Sequence, residues 1–253
     1  MEPRYLQIAE RLRAEIEGLG PDTLLDSEHR LAERFRVSRV TVRRALGLLE
    51  RGGLISRQRG RGTLVNPPKL LRRPLAFTLD EDLRRQGHRL ETRVLDRDPE
   101  SPPPAFVREA LGLGATARVQ HLSLLRIVDG RVIAHEARYF ALPVAKEVDP
   151  ALFDARPVSA LVAQLVGMPI TRLDWETELV PASSETAAVL GIVPGVLVTS
   201  TLYTQYLENG WPVETGRVTY RVDRVRFRFS SEDARWHVPA IEASLLPAPS
   251  RLV

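Results

Sequence analysis

Between Arg36 and Arg61 the chain carries eight arginines against a single acid, Glu50, and this charge lies on a pattern that leaves few choices of fold. Upstream, Tyr5, Ile8, Leu12, Ile16 and Leu19 recur at helical spacing and mark an amphipathic first helix, ended by Gly20 and Pro21. Ser27 can cap a second helix carrying Leu31 and Phe35. Ser38, after the turn Arg36-Val37, can cap a third carrying Val42, Leu46 and Leu49, which Gly52 and Gly53 stop. Two short strands follow, Leu54 to Arg57 and Thr63 to Val65, joined by Gln58-Arg59-Gly60-Arg61-Gly62. Three helices and a basic hairpin predict a winged helix-turn-helix over residues 1–66.

At 253 residues the chain is long enough for two domains, each with its own core. With 43% hydrophobic and 27% charged residues it is too apolar to be disordered. The formal charge of +4 says little about partners, whereas its concentration in one short stretch reads as an electrostatic footprint for nucleic acid. The lack of cysteine excludes disulfides, thiolate zinc sites and cysteine nucleophiles. No apolar run reaches membrane-spanning length and residues 1–12 have no signal-peptide core, so a cytoplasmic protein without membrane association is expected.

Residues 67–74, rich in proline and basic side chains, read as a linker, with a second domain over 75–235 and a tail over 236–253. That second region carries a weak internal repeat. Ala110-Leu111-Gly112 leads to the turn Asp129-Gly130 and the run Val132 to Phe140. Val189-Leu190-Gly191 leads likewise to Asn209-Gly210 and Val213 to Val222. Asp-Gly and Asn-Gly between alternating apolar runs signal tight hairpins whose central residues both take positive φ. Pairing the two hairpins predicts one antiparallel sheet with helices near Pro104 to Leu111, Val158 to Val166 and Ser183 to Leu190, an α+β architecture.

In a helix-turn-helix the second helix enters the major groove. Here its first turns read Ser38-Arg39-Val40-Thr41-Val42-Arg43-Arg44, with Arg39 and Arg43 on one face and Thr41 and Arg44 beside them. The planar fork of arginine matches guanine O6 and N7 together. Ser27 and the amides that start helix two suit a phosphate. Gly60 and Gly62 let the hairpin backbone approach a groove while Arg59 and Arg61 supply charge.

The runs Leu25 to Phe35, Val37 to Leu46 and Gly60-Arg61-Gly62-Thr63 closely resemble the N-terminal domain of the GntR family of transcription regulators, over residues 4 to 65. The family pattern usually has proline at Asp26 and arginine at His29, which makes His29 a weaker DNA contact. The remainder resembles the UTRA ligand-sensing domain of that family's HutC branch, over about residues 75 to 229. Its marks are Leu75 to Asp80, Thr92 to Leu95, Ala110 to Leu113, Glu136 to Tyr139, Pro212-Val213-Glu214 and Tyr220 to Arg224. The resemblance implies a chorismate-lyase-like fold, a small-molecule pocket, homodimerisation, and loss of affinity for a near-palindromic double-stranded operator when effector binds, with no cofactor or metal. It also implies that Thr78, Arg126, Glu136, Ser159, Glu214 and Tyr220 line the effector site.

In the residues themselves, Glu136 and Glu214 follow the two hairpin turns at corresponding places, so that pseudo-symmetry directs both to one cavity. Thr78 can equally cap a helix, and Arg126 can be an ion-paired strand residue. Sugar-phosphate-sensing relatives carry a second arginine where this chain has Leu124. A phosphate dianion wants more than one cationic or amide donor, so a small, non-phosphorylated, anionic metabolite with Arg126 as its partner is expected. Two alternatives stand beside the ligand-relieved repressor. One is a lyase-like activity using His88, His121 or His135, although no nucleophile, zinc or phosphate-loop motif appears. The other is a DNA binder whose second domain only dimerises.

Overall fold

The computed structural model describes residues 2–58, 60–74, 78–141 and 158–230. The chain divides into two units. One comprises the residues up to Leu70 with Val222–Arg226, and the other comprises Leu71–Arg221 with the residues from Phe227 on.

The first unit contains α1 (Arg4–Glu17), α2 (Glu28–Phe35), α3 (Arg39–Arg51) and the antiparallel hairpin β1 (Ile55–Gln58) and β2 (Gly62–Val65). Ile8, Leu12 and Ile16 of α1 pack with Leu31, Phe35, Val42, Leu46, Leu49, Ile55 and Val65 in one core. The helix stops earlier than Gly20-Pro21: Gly18 caps it, and Leu19 lies beyond the apolar stripe, 41% exposed. Ser27 Oγ accepts from the Arg30 amide and Ser38 Oγ from the Thr41 amide, so both serines cap the expected helices. Arg36 makes the intervening turn in the left-handed region, φ 54°.

Residues 67–74, expected as a linker, hold a third strand, β3 (Leu70–Arg72), paired with β10 (Val225–Phe227). The Leu70 amide donates to Arg224 O, and the Arg228 amide to Arg72 O. Hydrogen bonding to a segment more than 150 residues away in sequence is invisible in a local proline-rich composition.

The second unit is built on a six-stranded antiparallel sheet in the order β4 (Leu90–Ser101), β5 (Val119–Val128), β6 (Arg131–Ala141), β9 (Pro212–Arg221), β8 (Leu197–Leu207), β7 (Ile170–Pro181). β6 and β9 join the two halves, from Ala134 opposite Tyr220 to Phe140 opposite Glu214, as the internal repeat predicts. Among the described residues four helices accompany the sheet: α4 (Leu79–Arg85), α5 (Ala105–Ala110), α6 (Val158–Val166) and α7 (Ser184–Leu190). Val158, Leu161 and Val162 of α6 pack on Leu122, Leu124 and Phe140. Val107 and Leu111 pack on Val119 and Ala141, while Ala187 and Leu190 pack on Val198. The opposite parities along β5 and β6 assign these contacts to opposite sheet faces. Asp129 and Gly130 both take positive φ, 49° and 75°, as the tight turn requires. The second turn differs: of Asn209 and Gly210 only Gly210 has positive φ, and a four-residue connection closes with the Leu207 amide bonded to Trp211 O.

Candidate DNA-binding face and effector cavity

Arg39, Arg43 and Arg44 are exposed on α3, with Thr41 half-buried beside them. Ser38 Oγ lies 2.9 Å from Thr41 Oγ1, so the cap also orients the threonine. Arg43 is already engaged: its Nε and Nη2 reach the Glu28 carboxylate at 3.3 and 3.0 Å, and that hydrogen bond holds Glu28 below its ordinary pKa. Arg57 Nη1 approaches the same carboxylate at 3.7 Å. Glu28 thereby aims two guanidiniums from one point. In the hairpin, Gly60 and Gly62 have φ of 80° and 93°, and Arg61 donates to Gln58 Oε1. Arg59 lies outside the described residues. His29 is exposed and sits 3.3 Å from Glu33.

The second unit encloses a cavity of about 550 Å³, within the usual range for small-molecule sites. Its floor is one pleat face of the sheet. Glu136 and Arg138 of β6, Val218 and Tyr220 of β9, Thr199, Thr201, Tyr203 and Gln205 of β8, and Trp175 and Thr177 of β7 alternate to that side. Arg72, Thr78, Ser159 and the rings of Phe227 and Phe229 complete the walls.

Of the six residues expected at an effector, Thr78, Glu136, Ser159 and Tyr220 therefore line one cavity. Thr78 does so while capping α4, in a reciprocal capping box with Glu81. Arg126 and Glu214 are not among the lining residues. Arg126, 1% exposed, donates to Asp80 at 2.9 Å and to Thr92 at 2.7 Å, with Glu136 at 3.5 Å. Glu214, fully buried, takes Arg138 at 2.7 Å and the Tyr203 hydroxyl. Both lie on the same pleat face as the lining residues, Arg126 opposite Ala134 and Glu214 opposite Gln205, each held by its ion-pair partners. Burial pushes the Glu136 carboxyl up, but Arg126 and Arg138 outweigh it and leave it below its ordinary value. Burial pushes Glu214 up, against Arg138 and Tyr203. Leu124 is fully buried and packs with α6, opposite Glu136.

The three histidines weighed as catalysts are scattered: His88 meets Asp129, His121 stacks on Tyr139, and His135 meets Ser123. None lines the cavity.

Residues 4–65 match the bacterial regulatory proteins of the gntR family, and residues 85–226 match the UTRA domain. The HTH-type transcriptional repressor NagR of Bacillus subtilis is 33% identical over 230 residues, covering 89% of this chain and 93% of that one. The HTH-type transcriptional regulator Rv0792c of Mycobacterium tuberculosis is 31% identical over 89% of this chain and 84% of its own. The chain belongs to the GntR family. Among solved structures, PhnF from Mycobacterium smegmatis shares the fold with a TM-score of 0.59 at 22% identity, over 88% of this chain and 98% of its own. YydK from Bacillus subtilis does so at 0.57 and 22%, over 91% and 100%. These GntR-type relatives are transcription regulators, not enzymes, and the family binds operators and small-molecule effectors.

Two features of this GntR-family chain escape sequence reading. Val40, 60% exposed, completes the α3 face, where an apolar group suits a thymine methyl; helical period alone sets it beside Arg43 and Arg44. Arg138 lines the cavity between two glutamates. Strand period puts it on the side of Glu136, but its partner Glu214 comes from β9 across the sheet. Among the described residues no helix is long and apolar enough to cross a membrane, and no cluster of metal-ligating side chains occurs.

Proposed function

We propose that this chain is a cytoplasmic, homodimeric repressor of the HutC type that grips a near-palindromic operator and releases it when a small molecule enters the cavity of the second unit. One observation carries the reading. A capped recognition helix with exposed Arg39, Arg43 and Arg44 and a ligand-sized cavity occur in one chain, each in a separately packed unit. That NagR is named a repressor supports the direction of control. Ser27, Ser38, Arg39, Thr41, Arg43, Arg44, Arg59, Gly60, Arg61 and Gly62 form the proposed DNA face. One winged helix covers too few base pairs for useful specificity, so two copies are needed on one operator.

The test is selection of bound duplexes from random or genomic fragments, followed by light scattering of the free and DNA-bound protein. Recovered sequences are expected to share two inverted half-sites, and the scattering mass to be that of two chains. A monomer that binds single half-sites as tightly as the full operator contradicts the reading.

A further inference from the structure

Among the described residues, four guanidiniums stand at or beside the cavity, Arg72, Arg73, Arg126 and Arg138, and each faces a carboxylate. Arg126 meets Asp80 at 2.9 Å and Glu136 at 3.5 Å; Arg138 meets Glu136 at 2.8 Å and Glu214 at 2.7 Å. Asp82 holds Arg73 at 2.8 Å and lies 3.5 Å from Arg72. The four carboxylates, Asp80, Asp82, Glu136 and Glu214, match the four guanidiniums in number. A further carboxylate on the lining, the exposed Glu178 of β7, shifts the balance towards negative. A phosphate or carboxylate entering here gives up its hydration to cations that are already neutralised, and an uncompensated buried charge is costly. An ammonium meets buried carboxylates that are equally engaged.

The Nε atoms of Arg72 and Arg138 have no hydrogen-bond partner among the described residues, but both guanidiniums are ion-paired through their Nη atoms, and the other buried open groups on the lining are uncharged. Thr199 and Gln205, each 7% exposed, line the cavity, and neither Thr199 Oγ1 nor Gln205 Oε1 has a hydrogen-bond partner among the described residues. Buried polar atoms of that kind are stabilised by a ligand's hydroxyl or amide. The two mark opposite ends of the β8 floor, roughly 20 Å apart at the rise of a strand. Against this floor stands an aromatic wall: Trp175 and Phe229 are edge to face at 5.9 Å, Phe229 stacks on Phe227 at 6.4 Å, and Phe227 meets Tyr220 at 5.2 Å. Such rings take the apolar face of a flat or cyclic molecule.

We infer that the cavity takes an uncharged, hydroxyl-bearing ligand longer than one sugar ring and with an apolar face, the chemistry of a glycoside. The inference deepens the proposed function and rests on reading this cavity as the effector site. It also departs from the expected anionic metabolite, because ion pairing across the sheet neutralises the cations.

The test is thermal-shift titration of the full-length protein at pH 8 with 4-nitrophenyl glycosides of the common hexoses, the corresponding disaccharides and the 6-phosphate of each. Operator affinity is followed by fluorescence anisotropy with the same compounds. At least one uncharged glycoside is expected to raise Tm, with its 6-phosphate bound about tenfold or more weakly. Orthophosphate is expected to do no more than chloride at equal ionic strength. Thr199→Val, which removes one of the two unpartnered floor groups without changing side-chain volume, is expected to weaken that glycoside by about tenfold. A sugar phosphate that binds more tightly than its uncharged parent overturns the inference, as does a panel in which no uncharged glycoside binds. The two readings fail separately. A glycoside that binds without changing operator affinity keeps the ligand class and sinks the regulatory reading, and a phosphate that binds and releases operator does the reverse.

Discussion

Gly53 has no room for a side chain. Its φ is 77°, and a Cβ there lies 2.0 Å from the carbonyl oxygen of Asp223, a backbone atom that cannot swing aside. Gly53→Ala is expected to destabilise the first unit by about 3 kcal/mol, from left-handed strain and overpacking together. Urea denaturation followed by far-UV circular dichroism checks this, and an unchanged midpoint contradicts the close approach. On the DNA face, exposure separates two kinds of arginine. Arg39 stands on the first turn of α3, where Arg39→Ala is expected to cost about 1–3 kcal/mol at the operator and little on scrambled DNA. Arg61 stands in the hairpin, where Arg61→Ala is expected to weaken all duplexes alike and reduce the salt slope by about one. Anisotropy over a salt series on both duplexes distinguishes these, and two variants that bind operator like the parent would sink the assignment of this face.

At the scale of elements, β5 and β6 carry opposite chemistry on their two faces. Leu124 lies opposite Glu136, on the side of the cavity and of α6; Ser123 and His135 belong to the other side, joined Oγ to Nε2 at 2.7 Å. Burial depresses the pKa of His135, so the folded state prefers the neutral ring. For a group whose folded pKa lies below its unfolded value of about 6.5, the stabilisation is present above that pH and is lost as pH falls through the folded pKa. The chain is therefore expected to lose stability on acidification below about pH 6.5. His135→Gln, which keeps a neutral hydrogen-bonding group, is expected to flatten that part of the curve. Chemical denaturation at a series of pH values provides the measurement, and an identical slope in parent and variant rejects the assignment.

For the whole molecule, operator and ligand are linked through one chain even though each has its own unit. A typical coupling of about 1–3 kcal/mol changes operator affinity by about 5- to 150-fold. Reciprocity requires operator DNA to weaken ligand binding by the same factor. Calorimetry of a bound ligand with and without saturating operator is expected to return equal factors from both directions. Ligand affinity indifferent to operator shows that the cavity does not regulate.

The sequence by itself determined the elements that depend on near neighbours. Helical and strand periods, the serine caps at Ser27 and Ser38, and the Asp129-Gly130 turn all rest on interactions within a few residues, so they are legible in one dimension. So too are the basic face of α3 and the repeat that brings β6 beside β9. Tertiary structure alone decided what each charged residue does. Arg126, Glu136, Arg138 and Glu214 are merely two arginines and two glutamates in sequence, and alternation says only which side of a strand each occupies. Pairing across β5, β6 and β9 sets Arg126 and Glu214 against ion-pair partners and leaves Glu136 and Arg138 on the cavity floor. That outcome follows from register and burial, because a charge inside a protein is stable only beside its partner, and the partner is chosen by the fold.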